Sequence, residues 1–423
     1  MHIAFTVIVA VALGFLALNL YLALFGHDLP YKVGNTPKVP LDSAYFQSLI
    51  SALTQSELIQ GNKVEVLTNG DCFYETELGE IAKAERTIHL EAYIFHKGKI
   101  AARYLDALTE RARAGVKVRL TLDYIGCFST FRNYFKQLES AGARIEWYHS
   151  LRPDVLLQIN NRTHRELLIV DGRVGFIGGA GIADQWYTGE GGKPRWRDTV
   201  LRVEGPLVAA LQSVFAQNWL RVAGEILSDG DSFRFPRHTE GLAGLVVGST
   251  PAAGATPARI LFQLLIASAK KQIYISTPYF LPDRSARRAI VAAVKNRGVA
   301  VKILTPGRRS DQMMTRASSR ELYGTLLKHG VEIHEYEPAM IHVKAMMVDS
   351  CWAVVGSTNF DYRSFDWNDE VNLAILNEEV TRRLARDFER DLAQSTRITY
   401  QTWRKKMRYR IADRIFALLE RQE

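Results

Sequence analysis

Cysteine is scarce in this chain: Cys72, Cys127 and Cys351 are the only three in 423 residues, an odd number at wide spacing. A disulfide framework is thereby excluded as the basis of the fold, and no two cysteines stand close enough to open a zinc motif. Reduced, buried thiols are the default. Charge is missing from one stretch above all. Ile3 to Phe25 is 23 residues without a charged side chain, and Asn19 is its only strongly polar one. No Lys or Arg precedes that run and no small-x-small site follows it, which argues against a cleaved signal peptide. At about 1.5 Å per residue the run reaches roughly 35 Å, so residues 1–26 are expected to form a single-pass membrane anchor. Flanking charge is too sparse to set its orientation. No basic, aromatic-interleaved groove for a nucleic-acid strand can be picked out either, so such a strand is disfavoured as a partner. The net charge of +9 suits an anionic membrane surface or substrate instead.

What the chain does contain is a repeat. One segment reads H-R-E-L-L-I-V-D from His164 to Asp171, with G-G-A-G from Gly178. A second reads H-V-K-A-M-M-V-D from His342 to Asp349, with G-S-T-N from Gly356. His164 to His342, Asp171 to Asp349 and Gly178 to Gly356 all share one offset of 178 residues. The second copy is His-x-Lys-x4-Asp followed by Gly-Ser-x-Asn; the first has Glu166 in place of Lys344 and Gly181 in place of Asn359. On an extended strand, His342 and Lys344 would share a face, because side chains alternate with period 2. An imidazole can attack phosphorus or carry a proton near neutral pH, and Lys supplies a point charge for a phosphoryl oxygen. Ser357 and Asn359 can add hydrogen bonds to the same anion. The set suits displacement at a phosphodiester with one His attacking and the other protonating the leaving oxygen, and the residues call for no metal or cofactor.

The paired motifs resemble the phospholipase D superfamily, whose two HxKxxxxD copies meet in one active site. W-R-D-T (Trp196–Thr199), S-T-P-Y-F-L-P-D (Ser276–Asp283) and G-S-T-N-F-D-Y-R-S-F-D-W-N-D-E-V-N-L (Gly356–Leu373) are similar to its bacterial cardiolipin synthase-like members, over roughly residues 41 to 423. The resemblance implies that His164 and His342 are the catalytic pair, with His164 the nucleophile. It implies that Asp198 and Glu370 are the carboxylates orienting the two imidazoles, and that Arg363 helps to shape the pocket. Asp171 and Asp349 match the motif aspartates, with a structural role more in keeping than a chemical one. The implied activity is that of a membrane-anchored phosphatidyltransferase joining two phosphatidylglycerols, with the bacterial inner membrane as its place. Hydrolysis by a phospholipase D is the near alternative, since only the acceptor differs. A phosphodiesterase or nuclease, and a lipid-binding pseudo-enzyme motivated by Glu166 and Gly181, stand further off.

The pattern along the chain fits such a fold. Strand-like runs at 63–67, 116–123 and 144–148 alternate with helix-like ones, and the order recurs after residue 244. Alternation of this kind means α/β layering. The expected architecture is two similar α/β/α halves, 41–235 and 236–423, forming an intramolecular pseudo-dimer behind the anchor and a linker at 27–40. The basic stretch Tyr400 to Arg421 has helical periodicity, fitting a packed surface helix or an interfacial one equally. Nothing in the sequence sets an oligomeric state.

Overall fold

The computed structural model describes residues 31–130, 132–149, 160–235, 240–251 and 256–405, with Gly14 alone before them. The expected anchor, Ile3 to Phe25, lies outside the described residues, and among these no helix is long and apolar enough to cross a membrane. The first half contains β1 (Ile59–Thr68), β2 (Thr87–Ala92), β3 (Lys117–Asp123), β4 (Arg144–Tyr148), β5 (Arg162–Thr163), β6 (Leu167–Val170), β7 (Val174–Gly178) and β8 (Thr199–Glu204). The second contains β9 (Leu242–Ser249), β10 (Gln272–Ser276), β11 (Phe280–Leu281), β12 (Ala300–Pro306), β13 (Glu332–Tyr336), β14 (Ala345–Val348), β15 (Trp352–Gly356), β16 (Phe360–Asp361), β17 (Asn368–Leu376) and β18 (Ser395–Ile398). The helices are α1 (Ala44–Thr54), α2 (Gly70–Ala82), α3 (Lys99–Arg113), α4 (Lys136–Ser140), α5 (Asp184–Tyr187), α6 (Leu207–Ala223), α7 (Pro257–Ser268), α8 (Arg284–Arg297), α9 (Met313–Lys328), α10 (Tyr362–Asp366), α11 (Glu378–Ala393) and α12 (Tyr400–Lys405).

The repeat seen in the sequence is a repeat in topology. From the centre outward the first half runs β1-β8-β7-β6-β2-β3-β4, and the second runs β9-β17-β15-β14-β10-β12-β13-β18. Position by position these are the same sheet, joined where β1 pairs antiparallel with β9. The motif strands explain how both faces are filled. Leu168 and Val170 of β6 face one cluster with α2 and α3 residues, whereas Leu167 and Ile169 face a second with Val208, Leu211 and Phe215 of α6. β14 does the same: Met346 and Val348 join the outer core of the second half, Ala345 and Met347 the inner one. A strand buried on both sides has no polar face to show, hence L-L-I-V and A-M-M-V. The inner cluster is shared, since it takes Leu167, Ile177 and Leu201 from one half and Val343, Val355 and Leu373 from the other. The halves therefore form a single hydrophobic unit across their junction.

Helix ends follow their caps. Ser43 accepts from Phe46 N to start α1, and Gly298 adopts a left-handed conformation to end α8. α1 itself was expected with the first half but packs on the second. Its Phe46 and Ile50 enter the outer core beside α7, and Trp352 donates its indole N–H to Leu41 O. Of the basic C-terminal stretch only α12 is described. There Trp403 lies against α9, with Nε1 donating to Arg320 O at 2.6 Å; residues 406–421 of the stretch lie outside the described residues.

Candidate active site

Each histidine sits just before its motif strand, at the point where the chain touches the opposite half. β5 pairs in parallel with the start of β17, and His164 N then donates to Asp369 O at 2.9 Å. The second half repeats this, with Arg197 bridging Ile341 and His342 N donating to Arg197 O at 2.7 Å. The consequence is a crossing. His164 Nδ1 lies 3.0 and 3.1 Å from the two oxygens of Glu370, in the second half. His342 Nδ1 lies 2.9 Å from Asp198 Oδ2, in the first. Neither half holds its own histidine with its own acid. Each carboxylate fixes the Nδ1–H tautomer and leaves Nε2 for chemistry.

Both acids are fully buried and anchored in turn. Asp198 Oδ2 also accepts from Trp186 Nε1 at 2.9 Å, and Oδ1 accepts from Thr199 N at 2.8 Å. Burial opposes ionisation of Glu370, yet His164, Ser357 and Ser364 together hold its pKa below the ordinary carboxylate value. Aromatic rings wall the imidazoles. Tyr93 stands edge-on to His164 at 5.2 Å, and Trp186 and Trp196 lie 5.2 and 5.4 Å from His342.

Lys344 sits between the pairs. Its Nζ is 3.0 and 3.1 Å from the two nitrogens of the His342 ring, near-equal distances that place it over the ring face. Burial draws the ammonium pKa below its usual value, while Asp198, Glu370, Glu166 and Asp311 push the other way. His342 is likewise drawn down, first by burial and then by the Lys344 charge. Lys344 also meets the first half directly: a Cβ at Gly179 would stand 2.8 Å from Nζ, so the G-G-A-G turn is shaped to admit it.

Several expected site residues have other work. Ser357 donates to the Glu370 carboxylate, so its proton is committed to an orienting acid and not to a phosphate. Asp171 and Asp349, grouped with the catalytic residues from the motif, lie at the far ends of β6 and β14. Asp171 accepts from the backbone N–H of Glu85, Arg86 and Thr87, and Asp349 from those of Lys270, Lys271 and Gln272. Both have left-handed φ, 54° and 50°, so they tie a strand turn to the start of β2 and β10. Arg363 donates to Asn160 Oδ1 and O at 3.0 and 2.9 Å. Asn359 Oδ1 is buried with no partner among the described residues, which leaves it open to a ligand donor.

Glu166 is the clearest departure from a lost lysine. Its Oε1 accepts from the N–H groups of Tyr93 and Ile94, both at 3.2 Å, so the side chain turns back into its own half. Burial pushes its carboxyl well above the ordinary carboxylate range, against the N–H groups of Ile94 and Tyr93 and the Lys344 charge. Gly181 is matched to it: a Cβ there would lie 2.7 Å from Ile94 Cβ and 3.0 Å from Glu166 Oε1. The residues are a fitted pair.

Glu166 shares a small cavity with Glu77 and Glu91, each pushed up to about 7 by burial. A carboxyl raised in the folded state contributes stability that is complete below its unfolded pKa, about 4.5, and is lost as pH rises through about 7. Glu77→Gln should therefore gain on the wild type by a few degrees in thermal midpoint between pH 5 and pH 7.5. Histidines with lowered pKa act equally on both proteins and cancel in the comparison. Parallel midpoint curves would count against a raised Glu77.

The family model described as "Cardiolipin synthase, PLD-like domain" matches residues 78–219 and 263–392. The chain belongs to this phospholipase D-like family. A cardiolipin synthase of Geobacillus kaustophilus is 33% identical over 93% of this chain and 79% of its own length. Cardiolipin synthase 1 of Staphylococcus epidermidis is 34% identical over 82% and 71%. Among solved structures, a phosphatidylserine synthase of Haemophilus influenzae matches 88% of this chain and 99% of its own, with TM-score 0.68 at 13% identity, a likeness of fold. Within the family frame, Trp186 and Asp311 are what sequence reasoning missed; Trp196 in W-R-D-T and Tyr279 in S-T-P-Y-F-L-P-D, which donates to Asp311, stood in motifs that carried a signal.

Proposed function

We propose that the protein is a cardiolipin synthase-like phosphatidyltransferase that joins two phosphatidylglycerols and releases glycerol, anchored by Ile3–Phe25 in the bacterial inner membrane. The crossed pairs carry the reading, because they leave two Nε2 atoms available with opposite duties. His164 Nε2 attacks phosphorus while His342 Nε2–H protonates the departing glycerol oxygen, forming a phosphatidyl-histidine. His342, now neutral, takes the proton from a hydroxyl of the second phosphatidylglycerol, whose oxygen displaces His164 and closes the phosphodiester. Lys344, with the side-chain amide N–H of Asn359, meets the charge on the phosphoryl oxygens. The lowered pKa of His342 favours a second reading, in which this neutral ring is the nucleophile and His164 the acid. Acid quenching during turnover separates the two by the histidine that carries the lipid phosphate.

The function itself is tested by expression in bacteria that lack cardiolipin and by purified protein on phosphatidylglycerol. Cardiolipin and glycerol in equal amounts are expected. Phosphatidic acid with glycerol would instead mean hydrolysis. Removing residues 1–26 should free the protein from membranes at alkaline pH while leaving salt-sensitive lipid binding. A truncated protein that still resists both high salt and alkali would show that Ile3–Phe25 is not the main anchor.

A further inference from the structure

Two loops occupy equivalent places in the halves, one after β3 and one after β12. Both border the histidines. In the first, Cys127 Sγ lies 3.3 Å from Tyr93 O, and a Cβ at Gly126 would stand 2.7 Å from the Tyr93 ring, which rests edge-on against His164. In the second, Asp311 Oδ2 accepts from Tyr279 Oη at 2.7 Å, and its charge bears on both His342 and Lys344. These loops form the rim through which a substrate reaches the site.

The rim is apolar where a soluble substrate would call for a polar one. Ile125 is 46% exposed, Phe128 64%, and Met313, where the second loop enters α9, 57%. Arg308 and Arg309, on the second loop ahead of Met313, are exposed and have no hydrogen-bond or ion-pair partner among the described residues. Large apolar side chains next to unpaired arginines match an anionic bilayer surface, with acyl chains under phosphates.

An independent observation concerns the N-terminal end. Tyr31 N donates to Ser285 Oγ at 3.1 Å, its Oη donates to Asp283 Oδ2 at 2.6 Å, and the Arg259 guanidinium lies 5.0 Å over its ring. Asp283 caps α8 four residues beyond Tyr279, the residue that holds the rim through Asp311. The chain leaving the apolar run is thus tied down at the rim edge. Six peptide links separate Phe25 from Tyr31, a reach of at most about 20 Å.

We propose that this edge of both halves docks face-down on an anionic bilayer, with Ile125, Phe128 and Met313 inserted below the headgroups and Arg308 and Arg309 on lipid phosphates. The active-site mouth then opens into the leaflet, and the lipid substrate need not leave it. The proposal rests on the phospholipid-substrate and anchor readings given above, but its test reads position and not product.

Full-length protein with Cys72→Ser and either Phe128→Cys or Met313→Cys is labelled with a polarity-sensitive fluorophore and reconstituted in phosphatidylglycerol–phosphatidylcholine vesicles. Both labels should shift to the blue and be quenched by nitroxide lipids, at least threefold more than a label at Arg113→Cys on the exposed far end of α3. Labels at 128 and 313 as open to an aqueous quencher as that at 113 would overturn the proposal. So would equal burial in vesicles of phosphatidylcholine alone after Arg308→Gln and Arg309→Gln, since the arginines would then do nothing. As a kinetic counterpart, Phe128→Ser with Met313→Ser should slow turnover of vesicle phosphatidylglycerol at least tenfold while sparing dispersed short-chain phosphatidylglycerol. Equal slowing on both substrates would also count against docking. Inserted labels on a protein that makes no cardiolipin would sink the function and leave the orientation standing.

Discussion

His164→Ala and His342→Ala should each reduce phosphatidyl transfer by about a thousandfold or more, with the thermal midpoint nearly unchanged. The size follows from the division of labour. Without the attacking ring no phosphohistidine forms; without the other, glycerol must leave as an alkoxide. The effects of the two changes should not add, because either one alone stops the cycle. The crossing gives the orienting acids a distinct signature. Glu370→Gln should mimic loss of His164, although the gene places it in the other half, and Asp198→Asn should mimic loss of His342. Glu370→Gln should impair formation of the trapped phosphohistidine under the primary assignment, while Asp198→Asn should impair its protonation-dependent formation and its resolution by the acceptor. Either histidine variant retaining more than about a tenth of normal turnover would end the two-histidine mechanism.

How much of this was legible beforehand depends on whether a signal is local. The strands β3, β4, β12 and β13 were readable because apolar runs between Gly-terminated helices have few other uses. The equal offset at three points made the doubled site readable, since independent drift would not conserve it. Crossing was not readable. Asp198 lies close in sequence to the first motif and Glu370 to the second, and only the β5–β17 and Arg197–Ile341 contacts bring each to the other histidine. Spacing also misassigned Ser357, because a hydroxyl in a Gly-Ser-x-Asn turn can face either the phosphate or the acid behind the histidine. α6 and α11 escaped notice as elements, though both are long, because α6 is mostly apolar along its length and shows little period, while the strong charge of α11 masks the Val380, Leu384 and Phe388 stripe that enters the shared core. The aspartates of the two motifs match the family motif and were read as structural before chemical, in agreement with the backbone N–H groups they hold. Their work is to close backbone turns, which needs the same carboxylate and leaves the same spacing.

Restoring the motif should harm the protein. If Glu166 were only a missing lysine, Glu166→Lys would raise turnover and Gly181→Asn would add to it. The geometry points the other way. Lysine cannot accept the N–H groups of Tyr93 and Ile94, so two buried donors lose their partner. A cation would also enter a site fully enclosed by protein, near the existing ammonium of Lys344. Asparagine at 181 must displace Ile94, whose carbonyl accepts from Ile182 N at 2.8 Å and whose N–H bonds Glu166. The loop so disturbed is the one that presents Tyr93 to His164. Glu166→Lys should therefore cost about 2–4 kcal/mol of stability and lower turnover, and Gly181→Asn should deepen the loss. Glu166→Gln should be mild by comparison, since an amide oxygen can accept the same N–H groups. Lys344→Ala in the wild-type background should abolish transfer while sparing the fold, because no other motif lysine is left to meet the phosphoryl oxygens. Higher turnover from Glu166→Lys, measured at a temperature where the variant is folded, would show that the first half has merely decayed and that Glu166 holds nothing the enzyme needs.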